Sequence, residues 1–235
     1  MKEYKRIFIL TGAGISAESG LATFRDANGL WNNHKVEDVA SIEGFERNPA
    51  LVHDFYNELK REVQGVKPNA AHLAITKLQQ QYPAEVNVIT QNVDTLHEKA
   101  GSKNVYHIHG QLNQAICLNC GHILETWGDV DTETVCPNCR VMGMMKPNIV
   151  FFGENLLCMD EVERLLRSSD LFISIGTSGV VYPAAGFVQT AKYYGADTIE
   201  FTLEATANNF LFDRHIYGKA GETLPKFVAE LLGKE

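Results

Sequence analysis

The stretch Ile7-Phe8-Ile9-Leu10-Thr11-Gly12-Ala13-Gly14-Ile15-Ser16-Ala17 joins an apolar run to a glycine turn. Its first four residues, ended by Thr11-Gly12, predict a short buried strand. The remainder has the G-x-G-x-x-G/A spacing of a dinucleotide-binding turn. Gly12 and Gly14 let the backbone turn sharply and approach a pyrophosphate, and the helix that follows is expected to present free N–H groups to the anion. Working outward, residues 86–90, 171–175 and 198–203 are three more apolar runs that read as buried parallel strands. Helical spacing of apolar residues lies between them, over 49–63, 70–81, 160–168, 183–193 and 223–232. This alternation predicts an α/β fold with a Rossmann-like doubly wound parallel sheet, whose ligands bind beyond the carboxyl ends of the strands.

Two stretches interrupt the alternation. Residues 32–66 add a helical segment and residues 113–145 a cysteine module, and both read as insertions that pack together as a small domain. The large domain is then 1–31, 67–112 and 146–235, within a single unit spanning 1–235. A cleft between the two parts is the expected binding site.

The cysteine module is Cys117-x-x-Cys120 and Cys136-x-x-Cys139, with a fifteen-residue spacer between the pairs. Each C-x-x-C turn places two thiolates on one side of a tight loop, and the spacer is long enough to fold back as a hairpin. One structural zinc in an S4 shell is the expectation, since four protein ligands leave no open position for catalysis. Two disulfides, or a redox C-x-x-C, are the alternatives. The fifth cysteine, Cys158, reads as an ordinary small apolar residue.

With 235 residues, of which 45% are hydrophobic and 21% charged, the chain has enough material for a full core. Its net charge of -8 argues against a nucleic-acid surface spread over the molecule and favours basic partners such as lysine-bearing peptides. The charged start, Met1-Lys2-Glu3-Tyr4-Lys5-Arg6, does not read as a signal peptide, and no run of eighteen apolar residues predicts a membrane span. Unpaired thiol chemistry suits a reducing compartment, so a cytoplasmic protein is expected.

Several polar stretches follow predicted strands. Thr23-Phe24-Arg25-Asp26-Ala27-Asn28-Gly29-Leu30-Trp31 comes just after the phosphate turn, where Phe24 is placed to shield a reactive centre from water. Thr90-Gln91-Asn92-Val93-Asp94 puts four polar side chains at a strand's end, suited to a ring amide and ribose hydroxyls. His107 and His109 recur with period two and so face the same way in extended chain, and one of them is placed to act as a general base. The acid that usually follows a dinucleotide turn by about twenty residues has no preceding strand here; Glu204 is the candidate to accept a ribose hydroxyl instead.

Taken in order, Gly12-Ala13-Gly14-Ile15-Ser16, Gly29-Leu30-Trp31, Thr90-Gln91-Asn92-Val93-Asp94, His107-Ile108-His109-Gly110, the two cysteine pairs, Lys146-Pro147-Asn148-Ile149-Val150-Phe151-Phe152-Gly153-Glu154 and Gly176-Thr177-Ser178 resemble the sirtuin family of NAD-dependent protein-lysine deacylases. The match covers almost the whole chain and is closest to the bacterial deacetylase and desuccinylase branch. The resemblance implies NAD as co-substrate, held by residues 12–17, with Ala13, Phe24 and Arg25 around the pyrophosphate and nicotinamide ribose and Trp31 close by. Gln91 would hold ribose hydroxyls, while Asn92, Val93 and Asp94 line the nicotinamide pocket. Gly176, Thr177, Ser178, Thr202, Leu203, Glu204 and Ala220 would hold the adenosine half.

The resemblance further implies an acyl-lysine peptide added as a strand between Val150, Phe151, Phe152, Gly153, Glu154 and the loop bearing Val180. His109 and Asn92 would be the catalytic residues. The acyl oxygen attacks C1′ of the nicotinamide ribose as nicotinamide leaves, giving an alkylimidate. His109 then acts as base on the ribose hydroxyls, and water completes release of lysine and O-acyl-ADP-ribose. A monomer without membrane or nucleic-acid contacts is expected.

Two positions depart from the family pattern. Members that remove malonyl and succinyl groups carry a Tyr and, three residues later, an Arg that hold the acyl carboxylate; here Tyr56 is followed by Leu59, with Lys60 and Arg61 about 100° and 200° further round the helix. Desuccinylation is expected to be poor unless Lys60 or Arg61 substitutes. Thr202 stands where the family usually has Asn, losing the amide's fork and predicting weaker NAD binding. The competing readings are a mono-ADP-ribosyltransferase and a non-catalytic NAD-sensing module; a dehydrogenase fits worst, since fold analogy is its sole support.

Overall fold

The computed structural model describes residues 2–22, 30–31 and 34–233, Leu30 by its backbone alone. In chain order the strands are β1 (Arg6–Thr11), β2 (Leu30–Trp31), β3 (His34–Lys35), β4 (Glu85–Thr90), β5 (Val105–His107) and β6 (Gly110–Cys117). They continue as β7 (Ile123–Glu125), β8 (Met145–Ile149), β9 (Leu171–Ile175), β10 (Asp197–Thr202) and β11 (Arg214–Tyr217). The α-helices are α1 (Ala13–Ala17), α2 (Val36–Val39), α3 (Ile42–Arg47), α4 (Pro49–Gln64) and α5 (Ala70–Gln81). After them come α6 (Leu96–Lys99), α7 (Met159–Ser168), α8 (Phe187–Tyr193) and α9 (Ala220–Leu231).

The main sheet has the order β11-β10-β9-β1-β4-β5, and every pairing in it is parallel. Chain direction reverses its progress between β1 and β9: successive strands add outward through β4 and β5 on one side and through β9, β10 and β11 on the other. This is the doubly wound order, and the gap between β1 and β9 is the switch point where such sheets bind ligands. Four strands are the apolar runs anticipated above. The two edge strands, β5 and β11, are not apolar runs, because an edge strand need not be buried on both faces.

Alternation within the apolar strands divides the core. Ile7, Ile9, Val86, Val88, Ile173 and Phe201 pack on one face of the sheet against α5 and α9 through Ile75, Leu78, Leu224 and Phe227. Phe8, Leu10, Ile89 and Phe172 pack on the other face against α7 and α8 through Leu165, Leu166, Phe187 and Val188. Phe8 and Phe172 stack with ring centroids 5.4 Å apart. Truncating such a fully buried ring to Ala costs about 3–5 kcal/mol.

The stretch predicted as helix over 183–193 begins with a 3-10 turn at Ala184–Gly186 before α8 proper. Helix α9 starts earlier than its apolar spacing indicated, at Ala220, and carries Pro225 inside it. Cys158 is exposed and takes a left-handed backbone (φ 57°) at the start of α7, so it does not pack as the small apolar residue expected of it.

Helix α4 begins with Pro49 at its first turn, and Asn48 caps it by accepting the Leu51 N–H at 3.2 Å. Its apolar face (Val52, Phe55, Tyr56, Leu59, Val63) packs with Val39, Leu112, Ile149 and Phe151. Its other side grips the cysteine module. Asn57 donates to the Val130 carbonyl at 2.9 Å and accepts the Val130 N–H at 3.1 Å, and Lys60 donates to the Gly128 carbonyl at 2.7 Å. Arg61 binds both carboxylate oxygens of Asp129 at 2.8 Å. The module itself is an antiparallel sheet of order β7-β6-β8, in which the spacer folds back as anticipated.

Candidate active site and metal centre

Gly12 and Gly14 meet the backbone of Gly176 across the switch point. A Cβ at Gly12 would lie 2.8 Å from the Gly176 carbonyl oxygen, and one at Gly14 would lie 2.7 Å from Gly176 Cα. Gly176 has φ 62° and brings the β9 turn directly onto the β1 turn. The glycines therefore serve chain-on-chain packing, which the dinucleotide spacing alone did not reveal. The N–H groups of Gly12, Gly14 and Ile15 donate to the carbonyls of Ile175, Gly176 and Gly12, so the expectation of a freely donating helix start is corrected for these three. Ile15 is fully buried among the sheet and helix residues of the core and does not line the cleft, which removes it from the nucleotide-facing set.

A cleft of about 1010 Å³ opens at the carboxyl ends of β1, β4, β9 and β10. Gly12, Ala13, Gly14, Ser16 and Ala17 line it from β1 and α1, and residues 91–94 from the end of β4. Trp31, His109, Tyr56 and Leu59 of α4, and residues 150–154 after β8 line its other side. Residues 176–178, 202–204 and Ala220 complete it. Val180 is exposed and outside the lining, because the turn at Gly179 (φ 71°) carries it away. Phe24 and Arg25 lie outside the described residues.

The turn after β4 is held by a buried polar network. Asn92 Nδ2 donates to the Gly12 carbonyl at 3.1 Å and lies 3.2 Å from Ser16 Oγ. Ser16 Oγ donates to Asp94 Oδ2 at 2.9 Å, and the Leu96 N–H donates to Asp94 Oδ1 at 2.9 Å. Burial pushes the Asp94 carboxyl above its ordinary range, against the pull of those two donors. Ser16 thus faces protein partners, joining the two loops that frame the cleft.

Both predicted histidines turn to this loop. His109 Nδ1 lies 2.8 Å from the Gln91 carbonyl and must donate its proton there, leaving Nε2 with its lone pair. Burial lowers the His109 pKa, which keeps the imidazole neutral near pH 7. His107 has both nitrogens engaged, by the Asn92 carbonyl and by Glu98, which leaves His109 as the available base. Behind them, His97 Nε2 meets Thr11 Oγ1 at 3.0 Å. Glu98, His97 and Thr11 carry no motif of their own, and only their strand-end and helix positions tie them to the site.

Residues 150–154 form a tight loop. Glu154 takes Lys146 Nζ at 3.0 and 2.8 Å and accepts the Phe151 N–H at 2.7 Å, while Lys146 lies 3.9 Å over the Phe151 ring centroid. Glu154 therefore fixes its own loop. The N–H groups of Val150, Phe152 and Glu154 donate to the carbonyls of His109, Ala40 and Phe151. Those three N–H groups are therefore taken, and an added strand would have to use the other main-chain groups of the segment.

At the α4 wall, Tyr56 is buried and its hydroxyl has no hydrogen-bond partner among the described residues; burial raises its pKa, so it remains a neutral phenol. Leu59 lies beside it, and Val63, four residues on, extends the apolar wall. Val63 was legible from helical period though not singled out. Lys60 and Arg61, committed to Gly128 and Asp129, do not line the cleft. Neither replaces a cation at position 59. Thr202 Oγ1 donates to the Glu204 carbonyl at 2.9 Å, so its proton shapes the turn that carries Glu204.

The four thiols of Cys117, Cys120, Cys136 and Cys139 lie within 4.8 Å of one another. Cys117 and Cys139 are 3.7 Å apart, and Cys120 and Cys136 are 3.8 Å apart. Four thiolates about 2.3 Å from one zinc have edges of about 3.8 Å, so the arrangement fits a tetrahedral structural zinc and the disulfide alternative does not hold. The Val141 N–H and the Asn119 side chain draw the Cys139 thiol down to about 6, and the Asn138 amide lowers Cys120. Lowered thiols favour the thiolate that a metal needs.

The model of the Sir2 family matches residues 12–183. The chain belongs to the Sir2 family. It is 54% identical over 241 residues to the NAD-dependent protein deacylase SIR2rp3 of Leishmania major, covering 99% of this chain and 98% of the relative. A solved Sir2 homolog in complex with NAD superposes with a TM-score of 0.89 at 36% identity, covering 97% of this chain and 90% of that one. A Sir2 bound to acetylated peptide superposes at 0.83 with 31% identity, covering 99% and 95%. The fold anticipated from the first strand and turn is thus the Sir2 fold, with its Rossmann-like sheet and clustered cysteines. Among the described residues no helix is long and apolar enough to cross a membrane.

Proposed function

We propose that this protein is an NAD-dependent protein-lysine deacylase that transfers the acyl group of an acyl-lysine to ADP-ribose, with release of nicotinamide and an O-acyl-ADP-ribose. The single observation that carries the reading is His109, which lines the switch-point cleft with Nδ1 donating to Gln91 and Nε2 left as a base.

NAD, when bound, supplies the ribose carbon that receives the acyl oxygen. The chain's own residues do the remainder. Asn92 and Asp94, fixed by Gly12, Ser16 and Leu96, present the amide-binding corner of the cleft. His109 Nε2 takes the proton from a ribose hydroxyl, and its depressed pKa keeps it ready to do so at neutral pH. Gln91 orients that ribose, and residues 176–178 and 202–204 with Ala220 hold the adenosine half. The acyl-lysine peptide lies along residues 150–154, and the apolar wall of Tyr56, Leu59 and Val63 keeps water from the reacting carbon.

The small domain assembled from residues 32–66 and 113–145 supplies that wall, and the large domain of 1–31, 67–112 and 146–235 supplies the nucleotide floor. A cytoplasmic monomer is the setting proposed, and cysteines without disulfides fit its reducing conditions.

The test is mass spectrometry of acetyl-lysine and succinyl-lysine peptides incubated with the protein, with and without NAD, beside a His109→Ala control. Loss of acetyl with NAD alone, appearance of O-acetyl-ADP-ribose and an inert control support the reading. ADP-ribose on a protein side chain without deacylation would favour mono-ADP-ribosyl transfer instead.

A further inference from the structure

Helix α6 is about one turn long, and each of its residues is tied to a different part of the site. The Leu96 N–H donates to Asp94 Oδ1 at 2.9 Å, His97 Nε2 meets Thr11 Oγ1 at 3.0 Å, and Glu98 Oε1 meets His107 Nε2 at 2.8 Å. These three contacts fasten the turn after β4 to the ends of β1 and β5 within the large sheet. Lys99 makes a tie to the insertions instead. Its Nζ donates to the carbonyls of Val63 at 2.8 Å, Gln64 at 3.1 Å and Val66 at 3.3 Å, where α4 ends.

The last carbonyls of a helix lack intrahelical donors and carry the negative end of its dipole, so an ammonium suits that place. An ammonium has three protons, and here three acceptors surround it. Lys99 Nζ also lies 5.7 Å from the ring centroid of Trp127, within the cysteine module. One side chain of the sheet-bearing part thus meets both insertions. Val63, whose carbonyl makes the shortest of the three contacts, is itself a lining residue of the cleft, in line with Tyr56 and Leu59 on the same helix. Lys99 does not line the cleft.

We propose that Lys99 is a specificity-determining positioning residue: it holds the end of α4 against the turn at residues 91–94 and so fixes how far the wall of Leu59 and Val63 stands from the nicotinamide corner, which limits the length of acyl chain that reacts well. Without the tie, the wall retreats. A short acyl group is then poorly placed, while a longer one gains room. The inference rests on the deacylase reading for the identity of the ligand, and it concerns a residue that touches neither substrate nor cofactor.

The experiment measures kcat/KM of the zinc-loaded full-length protein with NAD on two peptides that differ in acyl chain, acetyl-lysine and hexanoyl-lysine. In Lys99→Met, which keeps an unbranched stem and removes the ammonium, the acetyl value is expected to fall about tenfold or more and the hexanoyl-to-acetyl ratio to rise at least about fivefold. The KM for NAD should stay within about twofold of wild type, since the nucleotide floor is untouched. Lys99→Arg, which restores a cation with several donors, is expected to bring the ratio back to within about twofold of wild type. A structural role alone would lower the melting temperature and reduce both peptides alike, so a folded Lys99→Met with the wild-type ratio overturns the proposal. Should that variant fail to fold, Lys99→Gln, which keeps an amide donor without the charge, takes its place. Hydrogen exchange supplies a reading that needs no turnover: amides of residues 61–66 are expected to exchange at least about fivefold faster in Lys99→Met, and unchanged exchange also overturns the tie. The deacylase reading fails separately, if exchange responds as expected but wild type releases no acyl group from either peptide.

Discussion

His107 is bound to the main chain of Asn92: its Nδ1 donates to the Asn92 carbonyl at 3.1 Å, and its Nε2 meets Glu98 Oε1 at 2.8 Å. The two histidines of one extended segment thus divide the labour, His107 anchoring the loop and His109 facing the cleft. Replacing His107 with Ala leaves the buried Asn92 carbonyl without its donor, a loss of about 1–3 kcal/mol. A fall of about ten- to a hundredfold in kcat/KM is expected, with the pH profile unchanged because His109 is intact. Steady-state kinetics at several pH values check both parts.

The base itself predicts an acid limb. Burial depresses the His109 pKa below 6.5, so the neutral, proton-accepting form persists to lower pH than for an exposed histidine. The acid side of the kcat/KM profile for deacetylation is expected to have its midpoint below 6.5. A midpoint at or above that value would contradict the assignment.

Two other histidines govern stability. His72 and His97 pack with ring centroids 5.0 Å apart, and burial pushes the His72 pKa down to about 4 and that of His97 well below its ordinary value. The unfolded chain binds protons at these sites near pH 6.5 while the folded chain does not. Their stabilisation is therefore present above pH 6.5 and is lost as pH falls toward 4, by up to about 3 kcal/mol for His72. Melting temperatures of wild type and His72→Gln across pH 7 to 4.5 are expected to converge toward acid.

The acyl wall sets a preference. Leu59 offers no charge to a terminal carboxylate, and Lys60 and Arg61 are held by Gly128 and Asp129. Succinyl-lysine is expected to be removed at least about tenfold less efficiently than acetyl-lysine. In Leu59→Arg that ratio should shift toward succinyl by about tenfold or more, since a charge-assisted pair contributes about 1.5–3 kcal/mol. Competition between the two peptides in one reaction measures it directly.

The cysteine cluster predicts one zinc per chain by elemental analysis. Cys136→Ser, or prolonged chelation, is expected to lower the melting temperature and abolish deacylation together, because metal binding and folding of such a module are one process.

Much of this was legible locally. The four central strands of the large sheet announced themselves as apolar runs because both of their faces are covered, and the cysteine spacing announced the metal shell. Strand β11, Arg-His-Ile-Tyr at residues 214–217, did not, since an edge position asks for no such run. The glycines were read as room for a pyrophosphate, whereas Gly12 and Gly14 are required by Gly176, more than 160 residues away in sequence. Pairings such as Asn57 with Val130, Asn92 with His107 and Glu200 with His215 depend on which segments the fold brings together. No local pattern encodes them.

Helix α4 is gripped from behind and exposed to the cleft in front. Asn57, Lys60 and Arg61 hold the metal-binding module, and Tyr56, Leu59 and Val63 form the acyl wall on the neighbouring face. On the proposed reading a zinc held by the four cysteines is in effect a splint, since the module it closes is bonded to the helix that lines the acyl side of the cleft. Loosening of the splint would blur the discrimination between acyl groups before it disturbed the nucleotide floor, which rests on the glycine seam of the large sheet.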